Sequence, residues 1–326
     1  MDETYKAIAD LIKSSDSFLV TMHIDPDGDA VGCALSIYSV LKRLGKSVKV
    51  ISEDPVPANF DFLEGSDEVI TTPTGEGEVA IVVDSGSLDR VGWTKDVVVK
   101  CPVIVNIDHH GSNTLFGHHN LVVKTAGACG ELVYVLLGKL GAGLTTAEAE
   151  ALYVAILSDT GCFRFPTTTA ETMRIAAHLI DQGVKPYHVA SEIFWKRSAA
   201  ALMLLSSALG SIEVTNGGAI ASMVVTRKMF EDTGAGPRDA EGFSNYPRSI
   251  RDVQVGILFR EIGDNRYRVS LRAREGHSID GIAKHFGGGG HPTAAGFRIE
   301  GDIEAIKSEL CNLIQASVLS PGDVSL

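Results

Sequence analysis

Two short apolar runs constrain this chain more than any other feature of its sequence. Val79–Val83 is apolar throughout and Val103–Ile107 nearly so, and each runs directly into an acid, Asp84 and Asp108. Runs of this length and uniformity suit strands buried on both faces, as in a parallel sheet covered by helices. The neighbouring pattern agrees. Ser17–Thr21 and Val48–Ile51 read as further strands. Between them, Ala30–Leu44 places Val31, Leu35, Ile37, Val40, Leu41 and Leu44 near helical period and stops at Gly45. Gly130–Leu140 and Thr146–Leu157 read as helices, the second with Thr146 as N-cap. This alternation predicts an α/β domain with a parallel sheet.

The pattern then changes. Glu171–Gln182 and Val189–Leu209 read as helices, with no strand between them. Ala219–Val225, Val253–Glu261 and Tyr267–Arg272 are β-branched or alternating runs, and Gly263-Asp264-Asn265 predicts a hairpin turn between the last two. The glycine run Gly287–Gly290 follows, and a helix over Ile303–Val318 closes the chain. The expected division is a first domain over 1–182, a helical connector over 183–211 and a smaller α/β domain over 212–326, with the active-site cleft between the two domains.

A chain of 326 residues is ample for two cores. The opening Met1-Asp2-Glu3 has no basic segment, so no signal peptide is expected. Five cysteines are scattered and never spaced as Cys-x-x-Cys, which argues against a zinc knuckle or a disulfide framework and for a reducing cytoplasm. Net charge is −12, a poor basis for gripping a long duplex. The charge is uneven. Residues 1–211 hold 16 basic and 26 acidic side chains, whereas 212–300 hold 12 basic and 11 acidic, and all but two of those basic residues are Arg. Metals in the first part and an anionic substrate held by the second would fit this split.

Four acidic or histidine clusters lie just after predicted elements. They are His23-Ile24-Asp25-Pro26-Asp27-Gly28-Asp29, Asp84, Asp108-His109-His110, and Asp159. Three of them fall at carboxyl ends of strands, where open α/β sheets build their sites. The first cluster alone could be a helix-capping turn, and Asp84 alone a turn residue. Together they fit a site for two divalent ions roughly 3.5–4 Å apart, of the kind used in phosphoryl transfer. Mixed imidazole and carboxylate without thiolate suits Mn²⁺ best, with Mg²⁺, Zn²⁺ or Co²⁺ as alternatives. Other templates fail. The first cluster lacks EF-hand spacing. Gly287–Gly290 is neither a Walker A loop nor a Rossmann fingerprint. His118-His119 reads as a solvated pair in a loop, and Cys129 as a small residue at a helix start.

The motifs His23-x-Asp25-Pro26-Asp27-Gly28-Asp29-Ala30, Asp84, Asp108-His109-His110 and Ser158-Asp159-Thr160 resemble those of the DHH phosphoesterase superfamily. Gly287-Gly288-Gly289-Gly290-His291-Pro292-Thr293-Ala294-Ala295-Gly296 resembles the glycine-rich motif of the DHH-associated C-terminal domain. Size and order are similar to the oligoribonuclease and 3′-phosphoadenosine 5′-phosphate (PAP) phosphatase branch.

That resemblance implies a role for each position. His23 and Asp27 would hold one metal, Asp29, His109 and Asp159 the other, and Asp84 would bridge them. His110 would face the scissile phosphate, with Asp108 orienting the histidines; Asp25 is not expected to be a ligand. Arg272, Gly288, Gly289, Gly290 and His291 would bind the substrate. The implied activity is exoribonuclease-like hydrolysis of short RNA and of PAP, with neither a long duplex nor a membrane as partner and a second copy of the chain left open as one. Hydrolysis of cyclic or linear dinucleotides, of pyrophosphate or polyphosphate, and plain nucleotide binding are the alternatives.

Overall fold

The computed structural model describes residues 2–141 and 143–319; for His291 it describes the backbone alone. The chain divides into two compact units, Met1–Lys196 and Arg197–Leu326.

The first unit runs α1 (Asp2–Ser14), β1 (Ser17–Thr21), α2 (Gly28–Arg43), β2 (Ser47–Ile51), β3 (Val79–Val83), α3 (Lys95–Val98), β4 (Val103–Asp108), β5 (His119–Val122), α4 (Cys129–Leu140), α5 (Thr146–Asp159), α6 (Ala170–Asp181) and α7 (Pro186–Phe194). Its five strands are all parallel, in the order β2-β1-β3-β4-β5. The two apolar runs explain this. Val79, Ile81 and Val83 enter one core, with Ile8 of α1, Leu35 of α2, Val133 of α4 and Leu152 of α5. Ala80 and Val82 enter a second core on the other face, with Leu19, Ile51, Val91 and Val98. Full burial of such side chains stabilises the fold by about 1.5–3 kcal/mol each for Val, Leu or Ile.

Several local expectations are corrected. Thr145, not Thr146, caps α5, in a reciprocal capping box with Glu148. The pair His118-His119 is only half in a loop. His118 is exposed in a bend, where its Nδ1 accepts the Ile104 amide at 2.9 Å, whereas half-buried His119 opens the edge strand β5. The helix expected over Val189–Leu209 is broken after Phe194, and Ser198 caps a new helix by accepting the Ala201 amide. The residues of the expected connector divide between the units: Val189 packs in the first core, whereas Leu204 and Ala208 pack in the second unit.

The second unit contains α8 (Ala199–Leu209), β6 (Glu213–Thr215), β7 (Ile220–Val225), α9 (Arg227–Thr233), α10 (Asn245–Ser249), β8 (Val255–Gly263), β9 (Arg266–Ala273), α11 (Asp280–His285), β10 (Gly289–His291), β11 (Ala294–Glu300) and α12 (Ile303–Ile314). These strands form one mixed sheet in the order β10-β11-β9-β8-β7-β6. The expected hairpin is present as the antiparallel pair β8–β9. Among the described residues no helix is long and apolar enough to cross a membrane.

Candidate active site

The chain reverses its winding direction between β1 and β3, the neighbours at the centre of the first sheet. Crevices at such switch points, beyond the carboxyl ends of the strands, are where open α/β sheets bind ligands. His23 follows β1, Asp84 follows β3, and Asp108-His109-His110 closes β4. Asp159 arrives from another direction, as the last residue of α5.

These residues converge. Nε2 of His23 lies 3.5 Å from Asp84 Oδ2 and 3.8 Å from Asp27 Oδ1. Nε2 of His109 lies 3.1 Å from Asp159 Oδ2, 3.5 Å from Asp84 Oδ1 and 3.8 Å from Asp29 Oδ2. Asp84 therefore presents one oxygen to each imidazole. It does so from a left-handed backbone, with φ of 52°, a conformation uncommon for residues other than glycine. Three groups with ligand atoms mutually within 4.8 Å result among the described residues, His23–Asp27–Asp84, Asp29–His109–Asp159 and Asp84–His109–His110, and each could hold a metal ion. Asp25 is in none of them; its amide donates to Asp54.

The donor set fits divalent ions on three further observations. First, His23 Nδ1 donates to the Ile24 carbonyl and His109 Nδ1 donates to the Ala126 carbonyl. A carbonyl only accepts, so the proton is fixed on Nδ1 and the Nε2 lone pair is directed at the carboxylates, as in metal-ligating histidines. Second, Asp84 Oδ1 is buried with no hydrogen-bond partner among the described residues. Third, the electrostatics lack positive charge. Burial, then the charges of Asp84 and Asp159, push Asp29 well above the ordinary carboxylate range. Burial acts to lower the proton affinity of His109, yet the nearby carboxylates of Asp159 and Asp84 outweigh it and raise this imidazole above 6.5. Burial acts to raise Asp84, but the imidazoles of His109 and His23 close to it hold it well below 3.8.

The surrounding residues fix these positions. Asp27 caps α2, its Oδ1 accepting the amides of Asp29 and Ala30, so capping and possible ligation coincide in one side chain. Gly28 is required by a close approach: a Cβ there would lie 2.0 Å from Ser158 Oγ. Asp29 sits at the start of α4, where it accepts the Cys129 amide at 2.6 Å and the Gly130 amide at 2.9 Å, and the Cys33 thiol donates to it. His110 Nδ1 donates to Asp108 Oδ1 at 2.7 Å, and Asn113 donates to the same carboxylate. Sequence reasoning missed the roles of Asn113, Cys33 and the α4 amides. No spacing signals Asn113, and the small residues Ala128-Cys129-Gly130 betray a helix start but not what lies against it.

In the second unit, Arg272 sits on β9 beside Gly256 of β8 and Ala294 of β11. Burial, then the charges of Arg248 and Arg268, lower its affinity for a proton to about 10. The glycine run is not the loop of exposed amides that its composition suggests. The Gly287 and Gly288 amides donate back to Lys284 and Ala283 at the end of α11. Gly289, Gly290 and His291 form β10, paired with Gly296, Ala295 and Ala294. Gly290 has φ of 142°, and a Cβ there would meet the Ala294 carbonyl at 2.4 Å. At Gly289 nothing lies within 4 Å of the added Cβ.

Comparison with known proteins identifies both parts of the chain. The N-terminal domain of the DHH family matches residues 17–156, and the DHHA1 domain matches residues 216–316. The bifunctional oligoribonuclease and PAP phosphatase NrnA of Thermus thermophilus is 33% identical over 94% of this chain and 95% of its own length. The Bacillus subtilis protein of the same name is 27% identical over 87% and 90%. In structure, an exopolyphosphatase-related protein from Bacteroides fragilis superposes with a TM-score of 0.91 at 24% identity, over 97% of this chain and 96% of that one. RecJ of Thermus thermophilus, in complex with Mn²⁺, gives 0.54 at 13% over 96% and 54%. These two likenesses establish the fold. With both domains in order and a near full-length match to a named relative, the chain belongs to the DHH phosphoesterase family, in the group of the bifunctional oligoribonuclease and PAP phosphatase proteins.

Proposed function

We propose that this chain is a Mn²⁺-dependent hydrolase of short oligoribonucleotides and of PAP, acting in the cytoplasm. The observation that carries the reading is the placement of Asp84 between two imidazoles, each joined by its own carboxylates. In this reading His23 and Asp27 hold one ion, Asp29, His109 and Asp159 hold the other, and Asp84 serves both. Bound divalent ions supply Lewis acidity toward phosphoryl oxygens and make water acidic enough to act as a nucleophile near neutral pH.

The chain's own groups do the rest. The Nδ1 proton of His110 is fixed by Asp108, so Nε2 is the nitrogen that meets a phosphoryl oxygen. Asn113 donates to Asp108 and keeps the carboxylate turned toward His110. Arg272 supplies a charge-assisted bond to a substrate phosphate, and Gly289 leaves room for the nucleotide on the sheet. His291, at the end of β10, joins them as a substrate-binding residue.

Release of mononucleotides from di- and trinucleotides and of phosphate from PAP, measured with Mn²⁺, tests the reading. Turnover of both is expected. Turnover of pyrophosphate or polyphosphate alone would overturn it.

A further inference from the structure

Asp29 is wholly buried, and its carboxylate accepts three hydrogen bonds. The Gly130 amide donates to Oδ1 at 2.9 Å, and the Cys33 thiol donates to the same oxygen at 3.3 Å. The Cys129 amide donates to Oδ2 at 2.6 Å, and Oδ2 is also the oxygen that faces His109 Nε2. An ionised carboxylate has about four lone-pair positions, shared equally between its oxygens. Both positions on Oδ1 are therefore occupied, and one of those on Oδ2. A single position remains, on the oxygen turned toward His109.

The neighbouring carboxylates are not closed off in this way. In Asp27 both capping amides fall on Oδ1, and no donor reaches Oδ2 among the described residues. Asp84 Oδ1 is buried with no hydrogen-bond partner among the described residues. The three donors to Asp29 also differ in kind. Two are backbone amides at the start of α4, fixed by the course of the chain. The third is a side chain on α2, four residues beyond Asp29 and so on the same face of that helix. Cys33 is itself wholly buried. Helical spacing thus brings a weak donor onto the one oxygen that would otherwise keep a second position free.

We propose that Cys33 is a positioning residue that restricts Asp29 to single-point ligation through Oδ2, and that it thereby sets the preference of this site for Mn²⁺ over Ca²⁺. This deepens the proposed function and rests on its assignment of Asp29 to an ion. Ca²⁺ takes about six to eight oxygens and draws on carboxylates that ligate through both oxygens. A carboxylate held to one point offers it less than it takes. An ion that accepts imidazole and fewer oxygens gives up nothing by the same restriction.

The test is metal binding by the full-length chain and its Cys33→Ala, Cys33→Val and Cys33→Ser variants. Free Mn²⁺ is read from its electron paramagnetic resonance signal while Ca²⁺ is titrated in as competitor. Cys33→Ala removes the donor and frees a position on Oδ1. For one of the two bound equivalents, the ratio of the Ca²⁺ Kd to the Mn²⁺ Kd should then fall about fivefold, the scale of one ordinary hydrogen bond. Cys33→Val also lacks a donor but fills the space, and it carries the same expectation if the alanine variant loses its fold by circular dichroism. Cys33→Ser keeps a donor in place and should retain the parent ratio, which separates the hydrogen bond from packing. An unchanged ratio in the variants without a donor, or an equal fall in Cys33→Ser, would overturn the proposal. The measurement needs no turnover. A parent chain that binds Mn²⁺ but cleaves neither RNA nor PAP would therefore fail the proposed function and still decide the role of Cys33, whereas a parent that binds no Mn²⁺ would overturn both.

Discussion

His110 donates from Nδ1 to the Asp108 carboxylate at 2.7 Å, and that carboxylate is wholly buried. The bond fixes both the tautomer and the ring plane of His110. Groups that orient a site histidine are worth about 10- to 100-fold in activity or metal affinity. Asp108→Asn should therefore lower kcat by that order with little change in KM, and Asn113→Ala should produce a smaller loss of the same kind. Steady-state kinetics on PAP checks this; a change confined to KM would contradict it.

Loss of Asp84 should be more damaging than loss of any residue serving one ion. Asp84→Ala should abolish hydrolysis and lower the metal bound per chain, with the fold retained by circular dichroism. Wild-type turnover in that variant would sink the two-ion reading.

Gly28 has no room for a methyl group, since Ser158 Oγ and Phe60 would lie 2.0 and 2.9 Å from it. Overpacking of this kind costs about 1–3 kcal/mol. Gly28→Ala should lower the midpoint of thermal unfolding and, by moving the start of α2, should weaken metal binding through Asp27 and Asp29. A variant as stable and as active as the parent would show that Ser158 and Phe60 yield freely.

Protons and metal compete for Nε2 of His23 and His109. Both imidazoles are held above the ordinary 6.5 by their carboxylate neighbours, against the opposing effect of burial. They keep their protons at pH values where an unperturbed histidine has lost them, so metal affinity should rise with pH through neutrality and binding should release protons. Calorimetry in two buffers of different ionisation enthalpy measures that release. Chelation should abolish activity, and Mn²⁺ should restore it better than Ca²⁺, which prefers more oxygen ligands.

Arg272→Ala should shift substrate preference. A charge-assisted bond to phosphate contributes about 1.5–3 kcal/mol, equal to roughly one to two decades in kcat/KM. The ratio of activity on PAP to activity on bis-(p-nitrophenyl) phosphate should fall at least about tenfold. Equal losses on both would mean that Arg272 serves the chemistry or the fold.

Much of the fold and site is legible in the sequence, for identifiable reasons. Val79–Val83 announces a strand buried on both faces because five apolar residues in succession leave no wet side. Its terminal Asp84 is legible as a site residue because strand ends in α/β sheets converge. The glycine run misleads, because composition reports backbone freedom and not hydrogen-bond partners; the demand at Gly290 comes from Ala294, four residues on. The division after Phe194 is marked only by Lys196-Arg197-Ser198, a short polar stretch that also suits the exposed face of one long helix, so Ser198 becomes legible as a cap only once the chain is folded. Asn113, Cys33 and the α4 amides act on site residues through neighbours that only the folded chain supplies.

Helix α5 touches α2 at both ends. At one, Glu148 binds Arg43 and Ser39; at the other, Ser158 abuts Gly28 beside Asp159. The two helices thus run antiparallel as a pair of rulers, clamped at the end remote from the chemistry. Glu148 and Asp159 are eleven residues apart, about 16 Å along a helix. A change at the clamp would be felt as a slide of one ruler along the other, altering the gap between Asp29 and Asp159. Sequence variation at Arg43 or Glu148, on the far side of the domain, therefore acts as variation in the spacing of the ligands themselves.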